Sequence, residues 1–184
     1  MTTRPNKPAK TPHGFTLIEA VFSVLLVSVM MVAAMNAVSA AAVAQAHSSD
    51  STRGNLLAQA LMSEILVQPY SDPNVNSTTI GPDPGDTTSP ATRSKFNDVD
   101  DYDGWFESPP QYKNGTVIGS TNPDGSITSY FPGWSRRVSV VWVNASDLKT
   151  KVNSETGVKR VTVTVAHNNA VMATCVAIRT KPPT

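Results

Sequence analysis

The chain has 184 residues, with 15 Lys or Arg against 14 Asp or Glu and a formal net charge of +1. That length holds one hydrophobic core plus an anchor, not comfortably two cores, and the aromatic residues are not interleaved with basic runs, so no nucleic-acid surface is expected. Cys175 is the only cysteine; no disulfide can form within the chain, and the residue reads as a small buried side chain in a strand rather than a redox group.

Residues 1–14 carry Arg4, Lys7 and Lys10 and no acid, and removing them leaves about 12 basic against 14 acidic side chains. Gly14-Phe15-Thr16-Leu17-Ile18-Glu19 follows, and then a run of about 27 mostly apolar or small residues to Ala46. The apolar core of a secretory signal is about 7–15 residues long, whereas this run is long enough for a full bilayer span of about 20. Basic residues confined to the leader place the N-terminus in the cytoplasm and everything after Ala46 outside. Glu19 is the only Asp, Glu, Lys or Arg between Phe15 and Ser49. A carboxylate inside a span costs roughly 2.5–3.5 kcal/mol on insertion scales, so it implies a partner or a function.

No proline interrupts Phe15 to Gln68, and the Ala, Leu, Val and Met content predicts a helix throughout, ending near Gln68-Pro69. At 1.5 Å per residue this is a rod of roughly 80 Å, more than a membrane needs. Residues 15–46 read as anchor and 47–68 as an amphipathic spine, with Leu57, Leu61 and Ile65 forming an apolar stripe beside Leu56 and Ala60. His47 to Gly54 is poor helix material, since Gly alone costs about 1 kcal/mol relative to Ala. It is a candidate break, with Ser51 or Thr52 available to cap a second helix.

Residues 69–135 hold nine of the fourteen prolines and read as loop with short strands. Asn122-Pro123-Asp124-Gly125 predicts a tight turn between strands near Thr116–Ile118 and Ile127–Phe131. Asp98, Asp100, Asp101 and Asp103 crowd four carboxylates into six positions with no base in the segment. Such a set is either a solvated loop or a hard-cation site with oxygen ligands, calcium in the second reading, although Tyr102 and Asp103 break the EF-hand pattern. Phe96, Trp105 and Phe106 flank it and can tuck the loop against a sheet.

Residues 136–184 predict an antiparallel sheet. Val138–Val143 is rich in β-branched residues, and Val161, Val163 and Val165 alternate with Thr162 and Thr164. Asn168-Asn169 suits a two-residue hairpin turn, which sets Val161 opposite Val176, Val163 opposite Thr174 and Val165 opposite Met172. That face is expected against the Leu57 stripe, with Trp142 in the core. His13, His47 and His167 are too scattered for a metal trio, and no nucleophile elbow, P-loop or dinucleotide fingerprint occurs; an enzyme is not expected.

The order of parts at the N-terminus, basic leader, Gly14-Phe15-Thr16-Leu17-Ile18-Glu19 and long apolar run, resembles a type IV prepilin or type II secretion pseudopilin. The resemblance covers about the first 55 residues. It implies an α+β, pilin-like fold, a long helix on an antiparallel sheet. It also implies cleavage after Gly14 by prepilin peptidase, N-methylation of Phe15, and pairing of Glu19 with a neighbouring subunit's amino terminus. The implied partners are other pilin subunits, an inner-membrane assembly platform and membrane lipid, with the head periplasmic or extracellular. Calcium occurs in some pseudopilins, but the resemblance carries no ligands onto the acidic cluster. The absent disulfide leans toward a minor pseudopilin or minor pilin. The rival readings are an adhesive or ligand-binding module at a filament tip and a DNA-uptake pseudopilin.

Overall fold

Helix α1 (Leu17–Leu66) begins where Thr16 can cap it. The Thr16 carbonyl accepts the Ala20 N–H at 3.2 Å, and its Oγ1 accepts the Glu19 N–H at 3.3 Å, so two donors of the first turn are satisfied. The computed structural model describes residues 14–72, 79–88 and 90–183. The expected leader therefore lies outside the described residues except for Gly14, as does a short part of the loop region.

The chain divides into two compact units, Met1–Ala46 and His47–Thr184. In the first, every described residue is exposed, including Phe22, Leu25 and Met30. Its helix is long and apolar enough to cross a membrane. Two hydroxyls in this apolar stretch bond back to the helix, Ser23 donating to the Glu19 carbonyl and Ser28 to the Val24 carbonyl, each at 2.7 Å.

The second unit pairs the rest of α1 with a five-stranded antiparallel sheet. Its strands are β1 (Phe106–Glu107), β4 (Trp134–Asn144), β5 (Asp147–Lys151), β6 (Val158–His167) and β7 (Ala170–Thr180). The order is β1-β4-β6-β7, with β5 also pairing β4, and β2 (Gly119–Thr121) and β3 (Ile127–Ser129) form a separate hairpin. The turn before β3 is closed by the Gly125 N–H on the Asn122 carbonyl at 3.0 Å, with Gly125 at φ 83°. One face of the sheet, carried by Val138, Val140, Val161, Val163 and Val165, forms the core with Leu57, Leu61, Met62 and Ile65. The alternation of Val and Thr in β6 thus separates a core face from an outer one.

The structure departs from expectation in three places. The helix does not break: it runs unbroken to Leu66, and Ser51 and Thr52 lie inside it, Thr52 donating back to the Ser48 carbonyl at 3.0 Å. Gly54 is in this position for packing, because a Cβ there would stand 2.9 Å from the Met172 Cβ and 3.3 Å from that of Ala173. The flanks of the Leu57 stripe also differ: Ala58 and Met62 are buried, while Leu56 is 62 % exposed.

The third correction is the hairpin register. Asn168 and Asn169 do take positive φ, 49° and 67°, but the pairs are Val161↔Ala177, Val163↔Cys175 and Val165↔Ala173, with an irregularity between Val165 and Ala166. Ala166 pairs with Val171, so Met172 is the extra residue of a bulge. One added residue sends every later side chain of β7 to the opposite face. Ala173, Cys175 and Ala177 therefore face the helix, while Thr174 and Val176 are exposed. Trp142 is buried, as expected.

Candidate functional site

Gly14 and Phe15 precede the cap, and Phe15 is 79 % exposed. Glu19 sits three residues after Thr16, in the first turn of α1, with its side chain exposed. A carboxylate there meets the positive end of the helix dipole. The arrangement presents one acid in the first turn of α1, which carries no other Asp, Glu, Lys or Arg as far as Ala46. What it can do chemically is pair with a cation delivered alongside, such as an amino group.

The acidic segment folds as a short 3-10 turn, Asp100–Tyr102, and its carboxylates take several different partners. Asp98 Oδ1 accepts the N–H groups of Asp100 and Asp101 at 2.9 and 3.1 Å. Asp101 Oδ2 accepts those of Asn97 and Asp98 at 2.8 and 3.2 Å. Asp103 Oδ1 accepts the Val140 N–H at 2.7 Å, anchoring the turn to β4. Asp100 is paired with Lys159 of β6, whose Nζ also donates to the Tyr70 carbonyl at 2.6 Å and lies over the Tyr70 ring. The repulsion expected of the four acids is thus relieved in part by backbone N–H groups and by a lysine 59 positions downstream. Burial, with Asp100 adding to it, raises the Asp98 carboxyl to about 7. Phe96, Trp105 and Tyr102 pack edge to face behind the turn.

Among the described residues, the His, Cys, Asp or Glu side chains close enough to share one ion are a different set: Asp72, Asp83 and Asp86.

A second buried centre joins helix, loop and sheet. The Arg93 guanidinium, 1 % exposed, donates to Glu64 of α1 at 2.8 and 3.1 Å and to Glu107 of β1. Arg136 of β4 donates to the other oxygen of Glu107, and both arginines donate to the Gln111 carbonyl. The Tyr102 hydroxyl donates to Glu64 at 3.0 Å and the Trp105 indole N–H to Glu107 at 3.1 Å. Burial alone would raise the Glu64 carboxyl, but hydrogen bonding and charge from Arg93, with the Tyr102 hydroxyl, hold it below its ordinary value. Every charge is answered, as a buried ion network requires. Sequence reading missed it because the partners are scattered from 64 to 136; the one local signal was acid within the apolar stripe, Glu64 beside Ile65.

No curated protein and no solved structure matches the chain. Residues 10–35 do match a family model, the prokaryotic N-terminal methylation motif. The match spans the Gly14-Phe15 bond, the capped first turn with Glu19 and the start of the exposed apolar helix, and it identifies the N-terminus as the signature of type IV pilins and pseudopilins.

Proposed function

We propose that this protein is a structural subunit of a type IV pilus-like or type II secretion pseudopilus filament, held in the inner membrane before assembly. In this reading prepilin peptidase cuts after Gly14 and the new Phe15 amino terminus is methylated. The basic leader keeps the N-terminus cytoplasmic, and the head lies on the periplasmic or extracellular side. The observation that carries the reading is the state of α1 up to Ala46: apolar, wholly uncovered, and charged only at Glu19. Lipid covers such a surface before assembly and the same segment of neighbouring copies covers it afterwards. Glu19 and a neighbour's Phe15 amino group then set the register. Their pairing offsets the cost of two charges in a dry bundle, so its value is specificity more than net stability.

Glu19→Ala tests this in cells. The variant is expected to insert and be processed as the unsubstituted chain is, and to be lost from sheared filaments or tip complexes. Incorporation at the unsubstituted level would remove the pairing role.

A second reading, a ligand-binding module displayed at a filament tip, is favoured by the exposed aromatic side chains of the loop-rich region: Phe106, Tyr112 and Tyr130 are each at least half exposed, at 50, 56 and 63 %. It requires few copies, confined to filament ends, which immunogold labelling of the head distinguishes from labelling along the shaft.

A further inference from the structure

We propose that the cavity shared by the loop around Thr88 and the segment from Asp101 to Phe106 binds an organic cation, an alkylated ammonium or the ammonium end of a lysine side chain. The inference rests on the second reading above, a ligand-binding module, and names its ligand class. The cavity measures about 330 Å³, within the range of about 300–1,000 Å³ usual for small-ligand pockets. Phe96, Trp105 and Phe106 line it together with Asp101, Asp103 and Thr92.

The charge of this lining is one-sided. Asp103 Oδ1 accepts the Val140 N–H, and among the described residues its Oδ2 takes no hydrogen bond and no cation. Asp101, 1 % exposed, is answered by the backbone N–H groups of Asp83, Asn97 and Asp98 and by no cation. Among the described residues no Lys, Arg or His lines the cavity. Donors that do line it are committed, the Trp105 indole N–H to Glu107 at 3.1 Å and the Thr92 hydroxyl to Thr88 and Ser94 at 2.9 and 2.8 Å. An anion here meets two carboxylates with no countercharge, and a sugar finds acceptors for its hydroxyls but few donors for its oxygens. A cation supplies what the lining lacks. Burial, with Asp101 the next cause, raises the nearby Asp86 carboxyl, as expected where negative charge is in surplus.

The rings decide which kind of cation. Phe96 and Trp105 meet edge to face, with 5.6 Å between centroids and 87° between planes. Trp105 already takes the Arg93 guanidinium at 5.4 Å from its ring centroid, and Phe106 takes that of Arg137 at 4.8 Å. Neither arginine lines the cavity, so these contacts leave Asp101 and Asp103 unanswered and show the contact that an entering cation can make with the same rings. A metal ion of calcium's kind takes about six to eight oxygen ligands, more than a wall made half of rings supplies. A poorly hydrated ammonium is held by aromatic faces and one or two carboxylates. The walls are set beforehand: Phe96 is 4 % exposed, Trp105 is fixed by Glu107, and half-exposed Phe106 borders solvent.

The experiment is a titration of the full chain, isotope-labelled and held in an uncharged detergent at constant ionic strength, followed by NMR through the indole N–H signals of its three tryptophans. Tetramethylammonium and Nα-acetyl-lysine amide are the probes, with sodium acetate and glucose as controls. The Trp105 signal is expected to shift saturably with an ammonium probe and with neither control, while the Trp134 signal stays in place. A response to tetramethylammonium alone supports a free alkylated ligand, and one to the lysine amide alone supports a basic side chain of a partner protein. Asp103→Asn keeps an oxygen for the Val140 N–H and is expected to weaken binding at least about tenfold. Phe106→Ala, at an exposed position, is expected to weaken it about two- to fivefold. An unshifted Trp134 signal shows that each variant is folded. No saturable shift with either ammonium, an equal shift with acetate or glucose, or unchanged binding in either folded variant overturns the proposal. Labelling of filament ends tests the second reading separately, so each can fail without the other.

Discussion

Helix α1 is one element with two surfaces. Before Ala46 none of its described residues is buried, whereas from Gly54 onward Gly54, Leu57, Ala58, Leu61, Met62 and Ile65 all are. The first half is apolar on every side and the second on one stripe. A helix apolar all round needs a cover on every side, and a striped one needs a single partner, here the valine face of β4 and β6. Secondary structure is the same in both; what differs is whether this chain supplies the cover itself. In the proposed function the first half is covered by lipid or other copies, whereas the second is covered by charges and core contacts encoded within the head.

The largest effect is expected at Arg93. Arg93→Ala removes a guanidinium that answers Glu64 and Glu107 and leaves both acids short of a partner in a site where Glu107 is 3 % exposed. A loss of about 3–5 kcal/mol in head stability is expected from denaturant unfolding followed by tryptophan fluorescence. A loss below about 1 kcal/mol would mean that the network is incidental to the fold.

Matched truncations in the two halves come next. Leu61, fully buried, is expected to cost about 2–5 kcal/mol as Leu61→Ala. Leu25, 56 % exposed, is expected to leave head unfolding within about 0.5 kcal/mol as Leu25→Ala. Equal effects would erase the distinction between a surface covered by the head and one covered by other molecules.

The smallest effect is in pH. The folded Glu64 carboxyl is held below its unfolded value of 4.5, so its contribution is fully present above that value and is lost as pH falls through the folded one. Thermal midpoints measured downward from pH about 5 are expected to fall less steeply in Glu64→Gln than in the unsubstituted chain. Identical acid limbs would show that Glu64 gains nothing from Arg93.

Much of this was legible in the residues. The apolar run, the isolated Glu19, the Val and Thr alternation of β6 and the Asn168-Asn169 turn are local patterns, and local patterns survive folding. What escaped was set by tertiary approach. Gly54 costs a helix stability by propensity, yet it is what lets the helix approach Met172 and Ala173. The Met172 bulge lies where that approach occurs and reverses the predicted faces of β7; alternation alone could not place it, because Ala170 to Ala177 shows no regular polar and apolar alternation. The acidic segment holds no base of its own because its partner, Lys159, comes from β6.

In the proposed function, the N-terminus is processed to release a filament subunit with its anchor retained. Intact-mass analysis of the protein extracted from membranes tests it most directly. The expected species begins at Phe15, carries one added methyl group on its amino terminus and includes the whole apolar helix. A species that retains Met1, or one cut near Ala46 so that the anchor is lost, would contradict it.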